Sequence, residues 1–572
     1  MNSIFFLILR RMRAPLITLI VSYGIAVFGF TLMPGLDAQG QPWHMSIFEA
    51  FYVISYTATT IGFGEIPYPF SQAQRLWMTF SIYLTVISWF YAIGKIIALA
   101  QDPALRQAIT LARFGRTVSS LYEPFYIVCG YGETGSLLVG ALDQKGIRVV
   151  TLDIDQERIN ELELQDYQSP VPGLCADAKL PETLLQAGIH HPHCRGIAAL
   201  TNDDHVNLAV AVAVKLISPE LPVLCRAEHN ETAANMASFG TDHIINPYEL
   251  FGEHLAMEIH SLGTYLLHEW LTGVPGTTLP SPMPPPVGHW VVCGYGRFGK
   301  AVVRNLEQEG ASIQIVEAQP EMTGCESFIR GSGTEAHTLI EAGIEKAVGI
   351  VAGTDNDINN LSIAMTALEL KPDLFVVIRK NRRFNSPLFR KFNADITMQL
   401  SDIIAHECLA HLITPMLAQF LQLARSQSNT WANQLISRLV EVVGENVPET
   451  WGAYINEERS PAVMRFLEEG KPITLELLTK DPYNREQPLF LLPLLLLRGN
   501  QSMLLPELDT QLLADDRILF CGTQTAKAAH PLLVLNRKVL TYVQEGVEVP
   551  DSLVWGWLSK WQINRPTDDT RQ

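Results

Sequence analysis

Thr59 to Glu65 reads TTIGFGE, and its glycine–aromatic–glycine triplet returns in CGYGETG (Cys129 to Gly135) and CGYGRFG (Cys293 to Gly299). Glycine has no Cβ and admits backbone angles that other residues avoid. That freedom serves two opposite chemistries. Glycines at alternate positions, as at Gly62 and Gly64, let a strand aim successive carbonyl oxygens to one side, where they replace the water around a cation. Thr59 and Thr60 add hydroxyl oxygen at the inner end, and the ring of Phe63 packs behind. A G-x-G-x-x-G loop does the reverse, turning N–H groups and a helix N-terminus towards an anion.

The surroundings decide which chemistry each triplet serves. TTIGFGE lies between two uncharged or nearly uncharged runs, Ala14 to Met33 and Leu76 to Ala100, each long enough for the roughly 20 apolar residues that cross a bilayer. The first run exceeds the short apolar core of a signal peptide, so a retained helix is expected. Arg10, Arg11 and Arg13 precede the first run, and Lys95, Arg106, Arg113 and Arg116 end or follow the second, whereas segment 34–75 holds only Arg75. That bias predicts an inner-membrane protein with both termini in the cytoplasm. Between the runs, SIFEAFYVISYTATT has helical spacing but is too short to span. It reads as a re-entrant half-helix, tolerated only where protein or a watery path surrounds it.

The rest of the chain is strongly acidic. Residues 1–125 carry a net +3 and the remainder −20, which disfavours nucleic acid as a partner. Eight scattered cysteines without a C-x-x-C pair suggest buried, reduced thiols. Both CGYG loops follow an apolar, β-prone run and precede a helical pattern; a second strand then ends in an acid, Asp153 or Glu317, 23 positions past the first glycine. This is the dinucleotide-binding fingerprint, with the acid set to accept from a ribose hydroxyl. The candidate cofactor contacts are Gly130, Gly132, Thr134, Gly135 and Asp153, then Gly294, Gly296, Arg297, Gly299 and Glu317. The unit is duplicated: LLQAGI recurs as LIEAGI, TNDDHVN as TDNDINN, and VLCRAE as VVIRKN. The offset between copies falls from 164 at the glycines to 153 at TNDDHVN, so the first copy holds about eleven extra residues, most of them before Asp177.

TATTIGFGE resembles the potassium-channel pattern T-x-T-T-V-G-Y-G-D, with Ile61, Phe63 and Glu65 as the three substitutions. The resemblance implies a selectivity filter for K+ built from Thr59, Thr60, Ile61, Gly62, Phe63 and Gly64. One strand cannot enclose an ion, so four identical chains would surround one axis. Phe63 keeps the ring but lacks the hydroxyl that braces the filter in relatives. The second span would line the inner pore, with Trp89, Phe90, Ile93 and Ile97 bulky enough for a dewetting gate; lipid or the first span are the other places for these side chains. The repeat resembles the regulator-of-potassium-conductance (RCK) domains of Trk/Ktr systems and ligand-gated potassium channels. The family's G-D-A-T element reads Ala176, Asp177, Ala178, Lys179 in copy one and Gly331, Ser332, Gly333, Thr334 in copy two, which has lost the acid.

The expected fold is therefore an all-α membrane pore domain followed by two Rossmann-like α/β domains and a small C-terminal α+β subdomain. The pore domain covers 1–100, with spans 14–33 and 76–100, pore helix 45–58 and filter 59–65. A linker (101–123), RCK domains at 124–272 and 289–425 around a Pro-rich linker (273–288), a C-terminal subdomain (426–550) and a tail (551–572) complete it. The expected function is a homotetrameric potassium channel, not an enzyme, gated by NAD(H) or an adenine nucleotide. The alternatives are a membrane-anchored regulatory subunit of a potassium transport system, and an oxidoreductase, for which no separate catalytic set is found. The other reading of either glycine loop is helix–strand packing alone. His190, His191, His193 and Cys194 offer zinc-type ligands. Asp153, Asp155 and Glu157, or Asp203 and Asp204, offer carboxylates to Ca2+, without EF-hand spacing. WGWLSKW (555–561) would be an interfacial anchor or simple packing.

Overall fold

The computed structural model describes residues 2–273 and 284–547; most of the Pro-rich linker and the WGWLSKW tail lie outside the described residues. The chain divides into two compact units, Met1–Ser120 and Leu121–Gln572.

The first unit is helical. Its opening helix, Asn2–Leu32, contains an apolar stretch, Met12–Leu32, long enough to cross a membrane, as does the helix Gln72–Ala100. Between them lies the short helix Ile47–Ala58, whose start is fixed by a capping box: the Ser46 hydroxyl accepts from Glu49 N, and Glu49 reaches back to Ser46 N. Ser71 and Gln74 cap the second span in the same way. The two spans meet along a seam of small or polar residues. Gln74, Ser81, Thr85, Ser88 and Ala92 are buried on the second span at intervals of three, four or seven. The hydroxyls of Ser22 and Ser88 bond across it at 2.6 Å. Any side chain at Gly29 would meet the Trp77 ring, whose indole N–H donates to Ala26 O at 3.0 Å. A further helix, Pro103–Ser119, starts at Asp102, whose carboxylate caps it.

The second unit holds two six-stranded parallel sheets and one four-stranded antiparallel sheet. In the first sheet the strands, in chain order, are Phe125–Cys129, Arg148–Asp153, Gly173–Cys175, Cys194–Ala199, Val223–Arg226 and His243–Ile245; in space they run 3-2-1-4-5-6. The second sheet, from His289–Cys293 to Ile396–Gln399, has the same order. This is the dinucleotide-fold order, whose chain reverses direction between strands one and four and leaves a crevice there. TNDDHVN and TDNDINN form identical networks beside it. Asn207 accepts from Thr201 N and donates to Thr201 O and Arg226 O; Asn360 does the same with Thr354 and Arg379.

The two domains exchange helices. Pro247–His260, which ends the first domain, packs on the glycine-loop helix Arg297–Gln308 of the second, with Tyr248, Phe251 and Leu255 in one core with Phe298, Val302 and Leu306. Leu400–Ile413 packs in return on Glu133–Gln144, placing Ile404, Cys408 and Leu412 among Leu138, Val139 and Leu142. At about 1.5–3 kcal/mol per buried aliphatic side chain, this exchange is a large share of what holds each domain together. The antiparallel sheet (Glu449–Tyr454, Leu491–Arg498, Gln501–Leu504, Arg517–Gly522) and its helices form the α+β end, and one face covers the helix Leu262–Thr272 through Leu267, Trp270 and Leu271. All eight cysteines are free. Burial pushes the Cys293 thiol up to about 12, which keeps it protonated and inert.

Candidate functional site

Thr60, Gly62 and Gly64 have φ of +64°, +66° and +95°, while Ile61 and Phe63 between them stay outside the left-handed region. In a pleated strand successive carbonyls face opposite ways. Left-handed residues at alternate positions turn every second peptide over, the arrangement that lets the carbonyls of Thr60 to Phe63 share one side, while Gly64 O is taken by the helix behind. The glycines adopt this freely; Thr60, β-branched and left-handed, costs about 1–2 kcal/mol. The sequence reading assigned the geometry to glycine alone and missed Thr60.

The strand is anchored from behind. Ile61 N and Gly62 N donate to Tyr56 O at the helix C-terminus, at 2.9 and 3.3 Å. The Tyr56 hydroxyl donates to Gly64 O at 2.5 Å. Phe63 lies against Tyr52 and Tyr56, with ring centroids 6.5 and 5.5 Å away. Tyr56 thus supplies, from the helix, a hydroxyl brace that Phe63 lacks. Glu65 closes the outer end: Arg75 binds both its oxygens at 2.8 and 3.1 Å, and Phe70 N donates at 2.9 Å. The Arg75 guanidinium, then the Phe70 N–H, hold the Glu65 carboxyl below its ordinary value of 4.5.

On the second span, Phe90, Ile93 and Ile97 are exposed and lie away from the buried seam. Trp89 does not join them. Its indole N–H donates to the Tyr23 hydroxyl of the first span at 3.0 Å, which removes it from the gate group.

In both glycine loops the three glycines meet different constraints. Gly130 and Gly294 have φ of +100° and +94°, and a Cβ at Gly130 would press on Thr201 N at 3.0 Å. A Cβ at Gly135 or Gly299 would stand 1.9 or 2.0 Å from the carbonyl oxygen of Gly130 or Gly294, so no side chain fits. Gly296 has nothing within 4 Å, and Gly132 only Arg158, 3.5 Å away. The middle glycines therefore leave open the approach that a phosphate needs.

The acids do more than await a ribose. Asp153 accepts from Tyr131 N at 2.6 Å and Asp155 N at 2.8 Å; Glu317 accepts from Tyr295 N at 2.6 Å and Gln319 N at 2.8 Å. Each carboxylate ties its loop to the second strand and keeps lone pairs for a ligand. Thr134 is buried at the position Phe298 holds in the other copy. Arg297 is bound across the domain boundary by Glu228, just past the strand Val223–Arg226, at 2.8 Å, and lies on the ring of Tyr248, which the exchanged helix 247–260 brings to it. The Arg297 guanidinium is thus committed and is not a free phosphate contact. Arg158 lies over Gly132, where a phosphate would approach, and is held there by Asp153 at 3.4 Å and Asp155 at 3.8 Å. Copy two has Met322 in its place.

The other expected metal ligands are dispersed or committed. His190 faces the Ser218 hydroxyl, the His191 and His193 rings are 5.5 Å apart, and Cys194 is buried with its thiol on Gly196 O. Asp155 and Asp203 cap helices at Glu157 N and His205 N, and Asp204 takes Glu228 N and His229 N. No oxygen cage for calcium forms from them among the described residues.

The TrkA-N domain profile matches residues 126–247 and again 290–399. Potassium channel protein 1 of Methanocaldococcus jannaschii is 24% identical over 209 residues, 36% of this chain and 61% of that one. The voltage-gated potassium channel Kch of Escherichia coli is 26% identical over 217 residues, 37% and 49% of the two chains. The matched region thus spans about half to three fifths of these relatives. A solved structure described as the GsuK channel bound to NAD covers 93% of this chain and 99% of its own at 14% identity, with a TM-score of 0.47. The two six-stranded sheets are a tandem pair of TrkA-N domains, carried behind two apolar helices long enough to cross a membrane.

Proposed function

We propose that this chain is one subunit of a homotetrameric, potassium-selective channel of the inner membrane, opened or closed by a nucleotide on its TrkA-N domains. The observation that carries the reading is the alternation of handedness at Thr60, Gly62 and Gly64 behind a capped half-helix. A pore that strips a potassium ion needs this arrangement of oxygens, and an anchoring segment has no use for Thr60's strain. Ile61 and Phe63 are exposed beside the strand, as side chains covered by a neighbouring subunit would be. Four strands around one axis close the oxygen rings, with Thr59 at the inner end. Phe90, Ile93 and Ile97 form the cytoplasmic constriction, and the termini and TrkA-N domains face the cytoplasm.

The ligand is NAD(H) or an adenine nucleotide, its pyrophosphate at Gly132 or Gly296 and its ribose on Asp153 or Glu317. Copy one is the stronger candidate, because Arg158 adds a cation where the phosphates would lie. The chain has no catalytic role in this reading. The ligand shifts the pore only by the difference in its affinity for the open and closed rings. The test is potassium and sodium flux from liposomes holding the purified protein, with and without NAD+, NADH, ADP and ATP. Potassium-selective flux altered by one nucleotide, and made insensitive by Arg158→Ala, is the expected result. Absence of flux under every condition would leave a membrane-anchored nucleotide-binding subunit as the better account.

A further inference from the structure

Where the exchanged helices cross, the second unit buries a group of imidazoles and carboxylates that neither the pore nor the glycine loops use. His254 lies on helix Pro247–His260, and His268 and Glu269 on Leu262–Thr272. One donor atom from each lies within 4.8 Å of the other two. Glu269 Oε1 is 4.0 Å from Nδ1 of His254 and 4.0 Å from Nδ1 of His268. His268 is 4% exposed, and its Nδ1, the nitrogen beside Glu269, has no hydrogen-bond partner. Buried nitrogens without partners are rare and call for a ligand.

We propose that His254, His268 and Glu269 form a divalent transition-metal site of the zinc class, with Glu407 orienting His268 from behind. Two imidazoles and one carboxylate are the ligand set of open zinc sites, whereas calcium takes six or more oxygens. Tetrahedral donors at zinc stand about 3.3 Å apart, so the side chains must close by roughly 1 Å. Glu407, on the exchanged helix Leu400–Ile413, has Oε2 4.0 Å from Nε2 of His268, the far side of that ring. A carboxylate behind a ligating histidine fixes its tautomer and raises its basicity. A cavity of about 220 Å³, lined also by Glu258 and Thr397, leaves room for a water in the fourth position.

Three carboxyl side chains, Glu258, Glu269 and Glu407, line the cavity together with the two histidines. Arg425, the nearby cation, is paired with Glu253 at 2.8 Å. The metal would fix the bend at Ser261 between two helices, one of which packs on the glycine loop of copy two.

The test is Co2+ titration of the full-length protein in detergent, read by visible absorption, with Zn2+ and Ca2+ as competitors. One tetrahedral Co2+ per chain, displaced by Zn2+ and not by Ca2+, is expected. Glu269→Gln and His268→Gln should each weaken binding by more than roughly 100-fold, and Glu407→Gln by about tenfold, the lower range for a group behind a ligand. A double His191→Ala, His193→Ala variant should bind as the parent does. Melting without metal identifies which variants fold, and Glu269→Gln, nearly isosteric, carries the test if His268→Gln does not. Absence of stoichiometric Co2+ binding in the parent, or undiminished binding in a folded Glu269→Gln, would overturn the proposal.

Discussion

Tyr56 and Glu65 hold the two ends of the oxygen-bearing strand, and each makes a separate demand on it. The Tyr56 hydroxyl on Gly64 O is worth about 1 kcal/mol as a net hydrogen bond. Tyr56→Phe should leave assembly intact, lower potassium flux several-fold and raise relative sodium flux in the liposome assay. A variant indistinguishable from the parent would remove Tyr56 from the account. Glu65 is a carboxylate whose pKa is depressed in the folded protein, so its contribution is present above about 4.5 and fades as pH falls through the lower folded value. External acidification below that point should release Arg75 and collapse flux, and Glu65→Gln should show the collapse already at neutral pH. The filter triplet was legible because its glycine spacing is so restrictive. Thr60's handedness was not, because no propensity places a β-branched residue there; neighbours impose it.

At the scale of elements, the glycine loops separate packing from binding. Gly135→Ala and Gly299→Ala force a Cβ into a backbone carbonyl and should destabilise their domains by about 3 kcal/mol or more, seen as lowered melting temperature. Gly296→Ala meets open space and Gly132→Ala only the end of the Arg158 side chain, so melting should barely change while nucleotide affinity, by calorimetry, falls. Equal melting loss in all four would mean the loops serve only packing. The repeat, the sheet order and the acids could be read from the sequence, since strand–glycine–helix grammar is local. The helix exchange could not. Nothing in residues 400–413 says that Ile404 and Cys408 belong to the core of the first domain, because any apolar stripe fits either partner. For the same reason Arg297 reads as a phosphate contact until Glu228 is seen beside it.

For the whole molecule, the account joins an ion path to a nucleotide sensor in one chain. The exchanged helices make the two TrkA-N domains mutually dependent, so a ligand on one glycine loop bears on a helix rooted in the other. The composition foretold the division between an apolar opening segment and an acidic body, but not the histidine–carboxylate group buried where the exchanged helices cross, whose members are scattered over some 150 residues of sequence. The most direct measurement is the reversal potential of single channels in planar bilayers, with potassium on one side and sodium on the other. A reversal potential far towards the potassium equilibrium value, with openings whose frequency changes on adding NAD+ or ADP to the TrkA-N side, is the predicted result. A reversal near zero, or currents absent from protein shown to be folded and inserted, would contradict the selective pore on which the rest depends.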